Sequence, residues 1–426
     1  MSRALHLLVA ALALLACGRA QEVRRSAYET DLAELENAIR EMYTAADPGA
    51  DPGVSRRPLD QPVRARHALL LLDRWMLTSR PAHLEEARAA LARETPFPGP
   101  LQARLREMEL RLALSLHRVE RARELLGDSD AHSADRRRRV GDPAVAAEIA
   151  LSDGRYRDAR TGFEAAVRAR ESWEGLAQLA NVEAILGRWS DARLLYRQAQ
   201  DRLTARQMRQ YAWLEVQLGA LEFRLGRFQA ARDHYTRADR AYSGYWLVRE
   251  HLAELDAAEG NLLASIERYL RVSVATGRPE IEQVLGELYA LAGDPAQARL
   301  RQARALAGYG ASVARGDVHY FHHLAGFHSD VSGNSREALK WARADLLVRQ
   351  RHEAHDALAW ALYRSGHIGE AEKHVALALA SGARDAHVYE HAAAISFAAK
   401  RAVQGRRYLL LADGLNPRRA DFHAHR

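Results

Sequence analysis

Cysteine is almost absent from this sequence, because Cys17 is the only one among 426 residues. A single thiol excludes structural disulfides within the chain. Lysine is nearly as rare, with three among 62 basic residues, so arginine carries almost all of the positive charge. These arginines alternate with acidic residues along helical segments, as solvated helix faces usually do. The net charge of +7 therefore gives no reason to expect a nucleic-acid partner.

Catalytic signatures are missing as well. The sequence contains no HExxH, no GxSxG and no phosphate-binding loop, and the segment His352-Glu353-Ala354-His355 has the wrong spacing for a helical zinc motif. No segment outside the repeats described below is large enough to house a catalytic domain. We predict that the protein is not an enzyme and that it binds no cofactor.

Long hydrophobic runs are confined to the amino terminus. Residues 7–15 form an apolar run that is too short to span a bilayer and long enough for a secretory signal peptide. Leu14-Leu15-Ala16-Cys17 at its end resembles a bacterial lipobox, in which the cysteine is acylated after the leader is removed. In the alternative, cleavage after Ala20 discards Cys17 together with a leader of residues 1–20.

The lipobox resemblance implies a location for the protein. Two or three acyl chains on Cys17 would hold the chain stably on one membrane face. Gly18, rather than an aspartate, follows the cysteine, which by the same resemblance implies sorting to an outer membrane. We expect an exported protein of the periplasm that is lipid-anchored to the outer membrane.

Helical periodicity dominates the rest of the chain. No stretch alternates apolar and polar residues as a strand would, and most segments repeat apolar residues at spacings of three and four. A capping box at Ser26 predicts a helix to about Tyr43, and the paired Pro-Gly steps of residues 47–53 predict a loop. We expect an N-terminal helix and tether over residues 21–62, followed by degenerate helical repeats over residues 63–139.

A glycine returns at nearly constant intervals in the remaining part, residues 140–426. The intervals are 33, 39, 34, 33, 40 and 33 residues, with Lys400 standing 34 residues after the last glycine. Such a period is the unit of a helical repeat protein, and a glycine can take the left-handed conformation that ends one helix and turns into the next. The two long intervals predict extra helix or loop near residues 201–210 and 308–317, dividing the array into groups of two, three and three repeats. The hinge glycines are Gly154, Gly187, Gly226, Gly260, Gly293, Gly333 and Gly366.

Small and large residues recur at fixed distances from these hinges. Gly219 and Gly286 stand seven residues before a hinge, small residues stand five after it, and large aromatic residues stand nine after it. This pattern resembles the tetratricopeptide repeat, in which two helices cross closely at the small residues. The resemblance implies an all-α fold, a right-handed α-solenoid of stacked antiparallel helix pairs, with about eight repeats. The small residues after the hinges are Ala159, Ala192, Ala231, Ser265, Ala298, Ala338, Ala371 and Gly405, and the aromatic residues are Phe163, Tyr196, Tyr235 and Tyr269.

The resemblance also implies that partners bind the concave surface formed by the first helix of each pair. The expected groove positions are acidic and aromatic, and they lack the Lys and Arg of the clamp that grips acidic tails. We predict an adaptor that binds another protein through a segment or helix carrying basic and apolar side chains. The predicted groove residues are Glu250, Glu254, Glu280, Gln283, Glu287, His323, Phe327, Asp330, Glu353, Asp356, Trp360, Tyr363, Glu390 and Phe397.

Three alternatives remain open at this point. The groove residues are also explained as ordinary solvated helix positions. Arginine-rich faces, including the run at residues 136–139, would suit a binder of cell-wall or lipopolysaccharide glycans. The apolar end near Tyr408, Leu409, Leu410 and Leu411 would suit a homodimer.

Nineteen histidines require a check for metal binding. His319, His322 and His323 share one helical face, and His352 and His355 occupy matching places in the next repeat. Stacked repeats could bring His322 near His355 and Glu353, a donor set that zinc accepts. Because these places face a neighbouring helix, we interpret the histidines as packed, hydrogen-bonded residues and predict no metal site.

Overall fold

The computed structural model describes residues 25–46, 61–91, 100–132 and 143–424. The leader, Cys17, the loop at residues 47–53 and the arginine run at residues 136–139 lie outside these ranges. Within them, every element of secondary structure is a helix, as the periodicity predicts. None of these described helices is both long and apolar enough to cross a membrane.

The helices of the described ranges follow one another as antiparallel pairs after a single first helix. Each pair consists of a first and a second helix joined by a short turn. The helices are α1 Ala27–Ala46, α2 Gln61–Thr78, α3 Pro81–Leu91, α4 Pro100–Ser115, α5 Val119–His132, α6 Pro143–Ser152, α7 Tyr156–Ala169, α8 Trp173–Ile185, α9 Trp189–Asp201, α10 Met208–Arg224, α11 Phe228–Ala241, α12 Trp246–Ala258, α13 Leu262–Thr276, α14 Pro279–Leu291, α15 Pro295–Ala314, α16 Phe321–Gly326, α17 Ser335–Val348, α18 His352–Arg364, α19 Ile368–Ala380, α20 Ala386–Ala398 and α21 Ala402–Leu415.

All seven hinge glycines have a positive φ, between 62° and 85°, which confirms their predicted role. Lys400 takes the same conformation at the eighth position, with φ of 60°. Two non-glycine residues do so in the N-terminal pairs, Ser79 between α2 and α3 and His117 between α4 and α5. The turn therefore follows the same geometry in pairs whose sequence lacks the hinge glycine.

The two helices of a pair approach closely where small residues meet large ones. A Cβ added to Gly219 in α10 would lie 2.6 Å from Cδ1 of Tyr235 in α11. Tyr235 is fully buried, as are its counterparts Phe163 and Tyr269. Ser265, which replaces the usual alanine, donates its hydroxyl to the carbonyl of Ala253 at 2.7 Å, so a polar group is satisfied inside the same contact. The predicted pairing of small and large residues is confirmed.

The two long hinge intervals lengthen helices. α10 has 17 residues, four more than α12, and α15 has 20. After α15 the first helix of the next pair is short: α16 has six residues and continues into a π-helical turn, Phe327–Val331. The extra residues predicted at the two places therefore enter both the helices α10 and α15 and the connecting loops at residues 202–207 and 315–320.

Helix pairs far apart in sequence also contact each other. The amide of Gln350, between α17 and α18, donates to the carbonyl of Ser152 at 3.2 Å. The amide of Arg384 donates to the carbonyl of Ile185 at 2.8 Å. The partners are six pairs apart in the helix order. The solenoid thus completes one superhelical turn in about six pairs. Successive superhelical turns contact each other through the loops between helices.

The N-terminal helices contact the middle of the chain in the same way. The amide of Tyr28 at the start of α1 donates to the carbonyl of Ser243 at 3.1 Å. Trp246 Nε1 in α12 donates to the carbonyl of Leu77 at 2.9 Å. Asp317, in the turn before α16, forms an ion pair with Arg88 of α3 at 2.6 Å. These bonds connect residues about 170 to 230 positions apart and fix one turn of the solenoid on the next.

Candidate partner-binding surface

The predicted groove residues Glu250 and Glu280 form a buried ion cluster with Arg278. Arg278 lies 2.9 Å from Glu250 and 2.6 Å from Glu280, and the guanidinium also covers the ring of Trp246 at 5.1 Å. Burial by itself raises the pKa of Glu280, but the Arg278 guanidinium outweighs it and lowers that pKa to about 2. The Glu280 carboxylate is therefore ionised, and both carboxylates are already paired with Arg278 within the chain.

A cavity of about 360 Å³ lies beside this cluster, between the N-terminal helices and α12 to α16. Its wall combines apolar side chains from α2 and α3, such as Trp75 and Leu84, with charged groups of the opposite helices, such as Asp317. The cavity lies between two successive superhelical turns, and the residues around it join these two turns.

Glu254 on α12 binds the carboxyl-terminal segment of the chain. Its Oε1 accepts a hydrogen bond from the amide of Ala424 at 2.9 Å and lies 2.7 Å from Nδ1 of His423. The imidazole of His423 also packs edge-on against Phe223, with ring centroids 5.3 Å apart. Phe422 is part of the apolar cluster formed by α12, α13 and α14.

The same segment is bound at two earlier points. Arg419 pairs with Glu390, another predicted groove residue, and with Asp413 at 2.8 Å. The guanidinium of Arg418 covers the ring of Phe228 at 4.1 Å. Residues 416–424, which we call the tail, therefore run from the last helix pair to the fourth pair before it and touch predicted groove residues at both ends.

Further along the array, polar groove residues bind one another. Tyr309 donates its hydroxyl to Gln283 at 2.9 Å, and the amide of Gln283 donates to Glu287 at 3.1 Å. His323 stacks on Tyr309 with ring centroids 5.7 Å apart. Gln283, Glu287 and His323 are half-buried and Tyr309 is fully buried, and together they form a continuous polar strip from α14 to α16.

Asp356, His387 and His391 form a compact cluster between α18 and α20. Nδ1 of His391 lies 2.8 Å from Oδ2 of Asp356, and the rings of His387 and His391 are 4.0 Å apart. Trp360 stacks flat on His391, at 4.0 Å and 8° between planes, and donates its Nε1 to Asp330 at 2.9 Å. Burial, together with the neighbouring His391, lowers the pKa of His387 to about 3. The imidazole of His387 is therefore neutral near pH 7.

The assumption that the groove positions are exposed is wrong for five residues. Neighbouring helices and the tail cover these side chains, and the four carboxylates among them have hydrogen-bond or ion-pair partners. Asp330, Glu353 and Phe397 are exposed, and the other groove residues are half-buried. The five buried residues are Glu250, Glu254, Glu280, Phe327 and Asp356.

The histidine set weighed for metal binding is not brought together. His355 faces His374, with Nδ1 atoms 3.3 Å apart, and within the described ranges neither belongs to a group of three donors. Among the described residues, the group that does converge contains Asp356, His387 and His391, whose donor atoms all lie within 4.8 Å of one another. The sequence signal for it is the spacing of four between His387 and His391, which places both on one helix face.

The two alternative surfaces are the arginine-rich faces and the apolar end near Leu410. Many arginines of the proposed glycan-binding faces are paired with carboxylates, for example Arg155 with Asp158 at 2.8 Å and Arg121 with Glu109 at 2.7 Å. The apolar end retains exposed side chains, and Leu410 is 73% exposed. A homodimer through that end stays a prediction.

No known protein family matches this sequence in a scan of family patterns, and no curated protein is similar to it. Solved structures are similar in architecture. A tetratricopeptide repeat protein from Parabacteroides merdae is 17% identical, covering 57% of this chain and 93% of its own, with a TM-score of 0.35. The Cut9 and Hcn1 assembly of the APC/C is 12% identical, covering 91% and 85%, with a TM-score of 0.39. PilF from Pseudomonas aeruginosa is 15% identical, covering 49% and 94%, with a TM-score of 0.31.

The repeat type is given by the helix pairs of the chain itself. They combine the hinge at positive φ, the close crossing at Gly219 and Tyr235, and aromatic residues buried nine positions after the hinge. The protein is an all-α solenoid of tetratricopeptide-like helix pairs.

Proposed function

We propose that the protein is a binding scaffold whose first helices take a short segment of a partner protein carrying basic and aromatic side chains. The observation that carries this proposal is the position of the tail. Residues 416–424 place a histidine on Glu254, an arginine on Glu390 and a phenylalanine in the apolar cluster of α12, α13 and α14. The chain's own tail thus has the chemistry predicted for the partner.

The binding energetics follow from the kinds of contact. Hydrogen bonds to a charged group contribute about 1.5–3 kcal/mol each, and burying one phenylalanine contributes about 1.5–3 kcal/mol. Glu254 is 2% exposed, so the bonds that it accepts from the tail are shielded from water. Carboxylates select basic segments, and the apolar cluster supplies most of the contact area.

The test uses a chain that ends at Leu415 and a fluorescent peptide with the sequence of residues 416–424. We expect saturable binding to the shortened chain and binding at least about 10-fold weaker to the full chain, whose tail competes at a high effective concentration. Glu254→Gln in the shortened chain should weaken binding about 10-fold or more. Glu267→Gln is the matched control, because Glu267 is an exposed residue on the second helix α13.

Two results would contradict the proposal. One is a folded shortened chain, by circular dichroism, that does not bind the peptide. The other is equal affinity in the Glu254→Gln and Glu267→Gln variants, which would mean that the tail only covers the end of the array.

We infer the envelope location from the leader and Cys17 in the sequence. The scaffold would then act in the periplasm, anchored to the outer membrane. Cell fractionation and palmitate labelling of wild type and Cys17→Ala test this: label and membrane association should both be lost in the variant. A soluble, unlabelled wild-type protein would instead support cleavage after Ala20.

A further inference from the structure

We propose that Asp356, His387 and His391 form a binding site for one divalent transition-metal ion, with zinc as the best fit. This site goes beyond the proposed peptide binding. Its residues come from α18 and α20, the first helices of the last two pairs.

The donor set suits such an ion. Two imidazoles and one carboxylate are borderline donors that zinc and its neighbours accept, whereas magnesium and calcium prefer sets made of oxygen. His387 and His391 stand one helical turn apart, so both rings project from the same face of α20 toward α18. Helix α20 fixes the relative position of the rings before any ion binds.

Distances in the cluster are close to those that an ion requires. A tetrahedral zinc ion about 2.0–2.1 Å from each donor places the donor atoms about 3.3 Å apart. The donor atoms here already lie within 4.8 Å of one another, and the His391 to Asp356 pair is 2.8 Å apart. Small side-chain rotations that bring the more distant donor atoms closer together would complete the site.

The second observation is an unsatisfied polar atom. Oδ1 of Asp356 is buried and has no hydrogen-bond partner among the described residues. A buried carboxylate oxygen without a partner is costly, and most such atoms in proteins are bound by a donor, a water or an ion. An ion between Oδ1 and the two imidazoles would satisfy this atom.

The surroundings hold the cluster in place. Trp360 stacks on the ring of His391 and is itself held by Asp330. Outer contacts that fix the orientation of a ligand ring are typical of metal sites. His387 is only half-buried, so a fourth position remains open to water or to a side chain of a bound partner.

Calorimetric titration of the untagged, chelator-treated full chain with zinc chloride tests the site. We expect one ion per chain, no saturable binding of magnesium, and the visible spectrum of tetrahedral cobalt when Co²⁺ is used. Each of His387→Ala and Asp356→Asn should weaken zinc binding more than about 100-fold, since even outer contacts cost about 10- to 100-fold. His374→Ala is the control, because His374 contacts His355 across a ring contact and lies outside the Asp356, His387 and His391 cluster.

His387→Ala is the informative variant if Asp356→Asn fails to fold, because the ring of His387 is half-exposed. Absence of a saturable zinc site in the wild type overturns the proposal. Equal zinc affinity in wild type and a folded His387→Ala variant also overturns it. Peptide binding by the shortened chain, measured with and without a chelator, reports on the scaffold separately from the ion.

Discussion

At the scale of single residues, the fold depends on glycines at the places where two helices cross closely. Gly219 lets α10 approach α11 until the ring of Tyr235 occupies the space of a Cβ. Sequence alone predicts this contact, because the glycine and the tyrosine stand at fixed distances from the same hinge. Ser79 and His117 escape such prediction, since neither is a glycine, the residue type that marks the other hinges in the sequence.

We expect Gly219→Ala to destabilise the protein by about 1–3 kcal/mol, because the added methyl group forces the buried Tyr235 ring out of place. Gly310→Ala is the matched control: Gly310 lies inside helix α15 with no atom within 4 Å of an added Cβ. That change should stabilise by about 0.5–1 kcal/mol. Urea unfolding of the two variants measures the difference, and equal midpoints would refute the close-contact explanation.

A second prediction at the residue scale concerns the stability of the protein at acidic pH. Burial, with Arg349 and Arg351 nearby, lowers the pKa of His117 to about 3, and His319 and Glu353 also face it. A lowered pKa means that the folded protein disfavours protonation, so the stabilisation is present above about pH 6.5 and decreases as the pH falls toward 3.

We therefore expect His117→Asn, which tolerates the positive φ, to reduce the stability lost between pH 7 and pH 5 by about 1 kcal/mol. Denaturant titrations at both pH values measure this loss. The exposed His367→Asn variant should lose as much stability as wild type. Equal losses in all three proteins would show that His117 does not contribute.

At the scale of helices, Asp317, in the turn before α16, links to α3 through Arg88 and to the turn between α4 and α5 through Arg118. Arg88 lies 2.6 Å and Arg118 3.2 Å from its carboxylate, and Ser312 donates its hydroxyl at 3.0 Å. Although burial raises the pKa of Asp317, Arg88 and Ser312 outweigh it and lower that pKa, so the carboxylate is ionised. One side chain therefore carries much of the contact between two distant parts of the chain.

Asp317→Asn should destabilise the protein by about 1.5–3 kcal/mol, because a buried ionic hydrogen-bond acceptor is lost. Hydrogen exchange should rise mainly in α3 and α4, which lose their anchor. Asp158→Asn, which breaks an exposed pair with Arg155, should cost less than about 1 kcal/mol. Unchanged exchange in α3 and α4 would contradict the linking role of Asp317.

At the scale of the whole molecule, the contact between turns separates this solenoid from an open repeat array. The helices, hinges and pair contacts follow from local sequence, so the sequence predicts them. Burial of Glu250 does not, because its partner Arg278 lies 28 residues later, at the start of the next helix pair. The position of the tail on Glu254 likewise depends on the pitch of the solenoid, which no local pattern encodes.

Removal of residues 349–426 should therefore change hydrogen exchange in helices that are far away in sequence. Helices α6 and α7 lose the bonds that Ser152 and Tyr156 make with Gln350 and His352, so their hydrogen exchange should increase. Helices α2 and α3 retain their contacts with Trp246 and Asp317, which lie outside the removed segment, and serve as the internal control. In an array where pairs touch only neighbours, α6 and α7 would exchange as in the full chain.

The six-pair turn also restricts how this protein can evolve in length. An open array gains or loses a unit by duplication with little effect on the rest. Here one extra pair inserted between α9 and α10 would shift every later pair by one place against the preceding turn. Each bond between turns would then meet the wrong partner, so the repeat number is held constant much as register is held in a β-sheet.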